Sequence, residues 1–98
     1  MYLTGFADEA SQDLEKQIQV TKELGWNAIE ARSVWGTNIH DISEKDFEKV
    51  RRILGDAKVR INCFGSTIAN WSKSVGDPFD ISIAEVERAI PRMQALDT

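Results

Sequence analysis

The stretch "NAIEARSVW", residues 27 to 35, begins as a short apolar strand and then carries two opposite charges. Successive side chains of a strand point to opposite faces, so Ile29 and Ala31 share one face while Glu30 and Arg32 share the other. We expect the apolar face to pack on a layer of helices. A charge on the opposite face needs an ion-pair or hydrogen-bond partner wherever that face is buried.

A second stretch, "KVRINCF" at residues 58–64, follows the same rule. Val59, Ile61 and Cys63 alternate with polar residues and are expected to lie under the helix layer. On this register the lone cysteine is an inert core residue. A third apolar run, "YLTGFA" at residues 2–7, is expected to be the first strand of the same sheet.

Helical patterns separate these strands. Residues 13–25 have apolar side chains at helical spacing, with Ser11 or Asp13 as the cap and Gly25 as the left-handed stop. A second helix is expected to start at Ser43, where Asp46 offers a capping-box-like partner, and to end at Gly55. The third helix covers residues 81–96, in which Pro91 predicts a kink or a break near Ile90.

The alternation predicts an α/β domain spanning residues 1–98, built from three consecutive βα units with parallel strands at residues 2–25, 26–55 and 58–98. Two architectures compete, an eight-stranded barrel and an open doubly wound sheet. The acidic "FADEASQD" after the first strand would repel a phosphate, and the chain has no glycine-rich phosphate loop. The pattern therefore favours the first part of a (β/α)8 TIM barrel.

Composition excludes several classes of protein. The formal net charge of the 98 residues is -4, with acids and bases interleaved, which argues against a nucleic-acid partner. The sequence contains no run of about 20 apolar residues that would span a membrane. A single cysteine cannot form an internal disulfide, so a cytoplasmic location is the default expectation.

Charged and aromatic residues near the strand ends are the candidate functional groups. Arg32 is expected near the mouth of the barrel, where it contacts substrate or joins Glu30, Arg60 and Asn62 in a structural network. For Asp8 and Glu9, which precede a helix, we prefer an interaction with the helix dipole over a role in ligand binding. His40 lacks a second ligand at metal-binding spacing. The second and third loops add the side chains Trp35, Ser66, Asn70 and Trp71, which suit sugar binding or simple packing.

Three of these stretches, "GFADEAS" (residues 5–11), "LGWNAIEAR" (24–32) and "LGDAKVRINCFGSTIAN" (54–70), together resemble the xylose-isomerase-like TIM barrels. The third strand in that superfamily often ends in Gly-Ser before an Ile, a pattern that Gly65, Ser66 and Ile68 match. The stretch at residues 80–98 looks like the family's third helix. The resemblance covers nearly the whole chain and defines the fold better than the substrate.

The resemblance implies a sugar or sugar phosphate isomerase or epimerase that works through an enediolate-type intermediate. Its relatives bind a divalent metal, commonly Mn, Mg, Co or Zn, which polarises the substrate carbonyl. The metal ligands belong to later strands, so none is expected in this segment, which resembles about a third of the ~250 residues of the fold. The substrate contacts that the resemblance implies are Arg32, Trp35, Ser66 and Asn70, and no catalytic residue is assigned.

Two other hypotheses remain. The same superfamily contains zinc-dependent DNA-repair endonucleases, but Phe64-Gly65-Ser66 here offers no histidine at the end of the third strand, and the net charge is negative. Alternatively, the chain is a non-enzymatic α/β module whose open sheet edges pair with another copy, forming a homo-oligomer. The leading expectation is the N-terminal segment of an isomerase that is inactive alone.

Overall fold

Two short parallel strands, β1 (Ala28–Ala31) and β4 (Arg60–Phe64), form the centre of the computed structural model, which describes residues 1–69, 72 and 74–98. The fold is therefore α/β, as predicted. A small antiparallel hairpin and three helices surround the sheet. These elements are a 3-10 turn (Ala7–Glu9), α1 (Leu14–Glu23), β2 (Ser33–Val34), β3 (Thr37–Asn38), α2 (Glu44–Ala57) and α3 (Phe79–Ala95).

The expected first strand is shorter than the apolar run predicts. The segment contributes one parallel bridge, between Phe6 and Glu30, in which the Glu30 N–H donates to the Gly5 carbonyl at 2.9 Å. Its outer residues, Tyr2 and Leu3, are exposed. The segment therefore forms a single bridge to β1 in place of the strand expected at residues 2–7.

The C-terminal residue, Thr98, contacts the other edge of the sheet, along β4. The Arg60 N–H donates to the Asn27 carbonyl on the β1 side, so the Ile61 carbonyl points to the opposite edge of β4. There it accepts a 2.9 Å hydrogen bond from the Thr98 hydroxyl. The neighbours across the sheet, from one edge to the other, are thus Phe6, β1, β4 and Thr98, which is also their order in the chain.

A bulge in β4 overturns the expected position of Cys63. Ile29 pairs with Ile61, but Glu30 pairs with Cys63, so Asn62 is the additional residue in β4. An additional residue shifts the alternation of all side chains that follow it. Ile61 is buried as expected, whereas Cys63 is exposed. The sequence shows no glycine or proline that would have marked the bulge.

The β2–β3 hairpin is a feature that the strand–helix alternation does not predict. Its two-residue turn consists of Trp35 and Gly36, with φ angles of 51° and 82°. Two positive φ angles in a two-residue loop define a type I′ turn, which matches the twist of the flanking strands. The left-handed Trp35 is unusual, and its backbone N–H donates to the Gln12 carbonyl at 2.7 Å.

All three helices end in the same way, with one left-handed residue and a hydrogen bond that reaches back five residues. Gly25 stops α1 as predicted, but α2 continues past Gly55 to Ala57. The left-handed residue of α2 is Lys58, so the predicted end at Gly55 is wrong. This arrangement is the Schellman motif. The returning bonds join Trp26 N to Thr21 O, Val59 N to Leu54 O, and Thr98 N to Met93 O.

The predicted caps of α1 and α2 are correct, whereas α3 starts at Phe79 rather than Ile81 and is not broken near Ile90. Asp13 caps α1 by accepting from the Lys16 N–H, and Ser43 caps α2 by accepting from the Asp46 N–H. Helix α3 runs without interruption through Pro91. Pro91 lies on an exposed part of the helix, where water can satisfy the carbonyl that loses its backbone partner.

Helices α1 and α2 cover one face of the sheet and leave the other open. Glu30 and Asn62 are half-buried on the open face, where the Thr4 hydroxyl donates to Asn62 Oδ1 at 2.8 Å. Among the described helices, none has the length and apolar character needed to cross a membrane. The core under the helices is apolar and consists mainly of Leu14, Ile29, Val34, Ile39, Val50, Leu54 and Ile61.

Replacing Lys58 with glycine is expected to raise the free energy of unfolding by about 1 kcal/mol, because glycine adopts the left-handed conformation without a Cβ clash. Urea unfolding followed by far-UV circular dichroism measures the change. The matched control is Lys22→Gly, at a right-handed position in the last turn of α1, which is expected to cost about 1 kcal/mol. Destabilisation by both substitutions would contradict the φ of 57° at Lys58.

Candidate functional site at the strand ends

Arg32 follows β1 and forms a bidentate ion pair with Asp8. Its Nε and Nη2 atoms each donate to one Asp8 carboxylate oxygen at 2.8 Å. The same carboxylate accepts the Ser33 N–H at 3.2 Å. The Asp8 side chain is 6% exposed and the Arg32 side chain 41% exposed, so one partner is enclosed while the other still meets solvent.

This geometry changes the acidity of both groups. The hydrogen bonds and charge of Arg32 hold the pKa of Asp8 below its ordinary value, although burial of the carboxyl opposes the shift. The hydrogen bond to Asp8 in turn raises the pKa of Arg32. Both shifts favour the charged forms. The ion pair is therefore fully formed at neutral pH.

An aromatic ring and a glycine complete the surroundings of Arg32. The guanidinium lies 4.4 Å from the centre of the Phe6 ring, within the range of a cation–π contact. A Cβ atom at Gly65 would lie 2.6 Å from Phe6 Cε1 and 3.2 Å from Arg32 Cβ. Glycine is thus the residue that allows the end of β4 to approach Phe6 and Arg32 this closely.

A second polar group lies beside Gly65 and is centred on His40. Asn38 links the two groups, because its Nδ2 donates to the Gly65 carbonyl and its Oδ1 accepts the His40 N–H. The His40 ring is fully buried, with Nε2 at 3.1 Å from the Thr67 hydroxyl. Its Nδ1 lies 3.2 Å from Asp41 Oδ1, outside hydrogen-bond geometry, and has no other hydrogen-bond partner among the described residues.

Helix α3 holds the loop that carries His40. Arg88 donates to Asp41 Oδ1 at 2.8 Å, at the surface. Arg92 is buried and donates to the Ile39 carbonyl and to Glu44 Oε1, both at 2.9 Å. Its guanidinium also lies 5.1 Å from the centre of the Phe47 ring. The polar face of α3 is therefore the face that points inward.

These acids and the histidine do not form a site for a divalent metal. The carboxylates nearest His40 lie on opposite sides of its ring, with Asp41 near Nδ1 and Glu85 Oε2 4.0 Å from Nε2. One ion cannot bind to both ring nitrogens, so the three side chains cannot share a metal. Over residues 1–69, 72 and 74–98, no group of three His, Cys, Asp or Glu side chains has metal-binding geometry.

The structure brings together some of the expected substrate contacts and separates others. Arg32 and Ser66 lie at neighbouring strand ends, because the Gly65 N–H donates to the Ala31 carbonyl at 2.7 Å. Trp35 lies elsewhere: its Nε1 donates to Asp13, and Lys49 lies 4.8 Å from its ring centre. Trp35 therefore packs between the start of α1 and the side of α2 that carries Lys49. Asn70 and Trp71 are outside the described residues.

Two important side chains had no clear signal in the sequence. Asp8 is the partner of Arg32, although its place before a helix indicated a dipole interaction. His40 is a buried hydrogen-bonding residue, although it stands alone among polar neighbours in the sequence. Their opposite charges, near the ends of the first two apolar runs, are the hint of this pairing that the sequence contains.

The chain has no match among protein-family models, curated proteins or solved structures. The geometry alone must therefore support any function. At these strand ends it provides a half-exposed guanidinium, carboxylate oxygens and a Ser66 hydroxyl, which are groups that bind hydroxyl-bearing ligands.

Replacing Asp8 with asparagine is expected to lower the urea midpoint at pH 7 and to have little effect at pH 2. The pKa of Asp8 lies lower in the folded chain than the unfolded value of about 4, so its stabilisation is complete above that pH. The stabilisation is lost as the pH falls through the folded value. Glu9→Gln is the control, because Glu9 is exposed and 3.8 Å from Arg32. Equal losses at pH 2 and pH 7 for Asp8→Asn would contradict the ion-pair assignment.

Replacing Arg92 with methionine is expected to lower the free energy of unfolding by about 2–3 kcal/mol, since it leaves the buried Ile39 carbonyl without its donor. Arg88→Met removes an exposed ion pair from the same helix and is expected to cost less than about 1 kcal/mol. Urea unfolding of both variants under identical conditions measures the difference. Equal costs would show that Arg92 does not anchor α3 through buried bonds.

Proposed function

We propose that this chain forms the first strand–helix units of a (β/α)8 barrel of the sugar isomerase and epimerase type. In this proposal its strand ends contact a sugar, and the metal centre belongs to other strands. The observation that carries the proposal is the order of segments across the sheet. Phe6, β1, β4 and Thr98 are neighbours in the same order as in the chain, which is the arrangement of a singly wound barrel.

The open face of the sheet supports the same proposal. A parallel sheet normally has both faces covered, yet here Thr4, Glu30 and Asn62 lie on a face without helices. In a barrel that face is the interior, where buried polar side chains must be hydrogen-bonded, as Thr4 and Asn62 are here.

The position of Arg32 supports a role in substrate binding. It comes directly after β1, and active sites in barrels are built from the loops at this end of the strands. Its guanidinium is held rigidly by Asp8 and Phe6, so little rotamer entropy is lost when a ligand binds. Ser66, after β4, is at the same end and supplies a hydroxyl.

The local charge favours a neutral sugar over a sugar phosphate. Arg32 is accompanied by the carboxylates of Asp8 and Glu9, at 2.8 and 3.8 Å, so the local sum of charges is negative. A phosphate dianion is repelled by that field, whereas sugar hydroxyls can donate to the carboxylates and accept from the guanidinium. The proposed substrate class is therefore an unphosphorylated ketose or aldose.

His40 has a positioning role in this proposal. Its fully buried ring cannot reach a ligand in the open mouth. Through Asn38 and Thr67 it connects the loops that follow β3 and β4. These contacts position Gly65 and Ser66 relative to Arg32. That position determines the distance between the side chains proposed to contact the sugar.

The test begins with the coding sequence after Thr98 and the protein encoded by the whole reading frame. When that protein is incubated with a neutral ketose in D2O with Mn2+, we expect deuterium to replace the hydrogen next to the ketose carbonyl. Proton NMR measures this exchange. Arg32→Met is expected to raise KM about tenfold, the equivalent of one lost hydrogen bond to a charged group.

Arg60→Met is the matched control, because Arg60 also stacks on an aromatic ring, Tyr2 at 4.5 Å, but lies at the opposite end of its strand. It is expected to leave KM unchanged. A stop codon directly after Thr98, absence of exchange with every ketose, or equal effects of the two arginine substitutions would each contradict the proposal.

A further inference from the structure

Two residues at β1 carry opposite charges on the same face of the sheet but do not pair with each other. Glu30 and Arg32 both lie on the open face, since Ala31 between them is buried under the helices. The Arg32 guanidinium instead binds Asp8 at 2.8 Å and approaches Glu9 at 3.8 Å. Over residues 1–69, 72 and 74–98, no ion pair joins Arg32 to Glu30.

The Phe6 side chain crosses β1 between these two charges. Phe6 forms its bridge beside Glu30, and in-register side chains of neighbouring parallel strands lie on the same face. Its ring reaches the end of β4, because a Cβ atom at Gly65 would lie 2.6 Å from Phe6 Cε1. The centre of the ring lies 4.4 Å from the Arg32 guanidinium. The ring therefore extends from the level of Glu30 to the level of Arg32.

Two further contacts pass over β1 in the same way. The Thr4 hydroxyl donates to Asn62 Oδ1 at 2.8 Å, and the Arg60 guanidinium lies 4.5 Å from the centre of the Tyr2 ring. In a flat sheet the backbones on either side of β1 would be about 10 Å apart, too far for so short a contact as the first. The sheet therefore curves toward its open face. Because β1 already has a neighbour at each edge, these contacts involve no further strand.

We propose that Phe6 is a positioning residue that keeps Arg32 at the strand ends by separating it from Glu30. Residues two apart in a strand are about 7 Å apart, a distance that the long side chains of glutamate and arginine can span. The apolar ring occupies that space, so Arg32 turns to Asp8. Its guanidinium then faces the end of the sheet where the ligand is proposed to bind. The inference rests on the proposed function only for this effect on sugar binding.

Two carboxylates compete for one guanidinium in this arrangement. The Asp8 side chain is 6% exposed and Glu30 is half-buried, so each gains from a cationic partner. Without the ring, Arg32 is shared between them. Asp8 then loses part of the hydrogen bonding and charge that lower its pKa. The pKa of Asp8 therefore reports where the Arg32 guanidinium lies.

The first experiment measures the pKa of Asp8 in the 98-residue chain by carbon-13 NMR of its carboxyl group. Phe6→Ala is expected to raise this pKa toward its ordinary value, because Arg32 becomes shared with Glu30. Adding Glu30→Gln to that variant removes the competing charge, so the double variant is expected to restore the lowered pKa. Glu30→Gln alone is expected to change it little. A loss of folding in Phe6→Ala would not be reversed in this way.

A methyl group at position 65 displaces the ring without deleting it. The Cβ of Gly65→Ala would lie 2.6 Å from Phe6 Cε1, so the ring must move. This variant is expected to raise the pKa of Asp8 in the same direction as Phe6→Ala. Gly5→Ala is the matched control, because its Cβ would lie 3.7 Å from the Trp26 ring, an ordinary contact distance. It is expected to leave the pKa of Asp8 unchanged.

The effect on sugar binding is measured on the protein encoded by the whole reading frame. In the deuterium-exchange assay, Phe6→Ala is expected to raise KM about tenfold, and the added Glu30→Gln to restore it to within about twofold. An Asp8 pKa that stays low in both Phe6→Ala and Gly65→Ala, or that Glu30→Gln does not restore, would overturn the inference. If the wild type exchanges deuterium with no ketose, the proposed function is contradicted, and the pKa of Asp8 still decides the role of Phe6.

Discussion

The ion pair between Asp8 and Arg32 determines how the N-terminal part of the molecule is arranged. One carboxylate accepts two bonds from the guanidinium and one from the Ser33 backbone, so it joins the turn after the first segment to the residues between β1 and the hairpin. The first segment has only one bridge to the sheet and mostly exposed side chains. A charge-assisted bidentate contact therefore holds this segment against the sheet, a role that backbone hydrogen bonds have in longer strands.

Helix α3 is also held by charged side chains. This helix is attached through arginines that bind the β3–α2 loop, while its apolar side chains stay outside. Burial of apolar area is the usual driving force for docking a helix, so the apolar surface of α3 is available for a further interaction. In the proposed barrel, the next strand and helix would cover that surface.

The candidate site was only partly predictable. Arg32 and Ser66 lie at neighbouring strand ends as expected, because hydrophobic alternation identifies the two central strands. Trp35 was expected beside them but lies between α1 and α2, since a type I′ turn reverses the chain at that residue. The sequence does not reveal the partners of Asp8 and His40, because the partner of a charged or polar group depends on contacts between residues distant in sequence. The sheet positions of Phe6 and Thr98 also depend on such contacts.

Local sequence alone determined the α/β class, the three helices, the caps at Asp13 and Ser43 and the left-handed stop at Gly25. Each of these depends on neighbours within about one helical turn, so their physical cause is present in the sequence pattern. Tertiary structure decided the bulge at Asn62, the exposed position of Cys63, the left-handed Lys58 and the inward polar face of α3. Those features arise from how separate segments meet, where one additional residue or one long-range ion pair outweighs local preference.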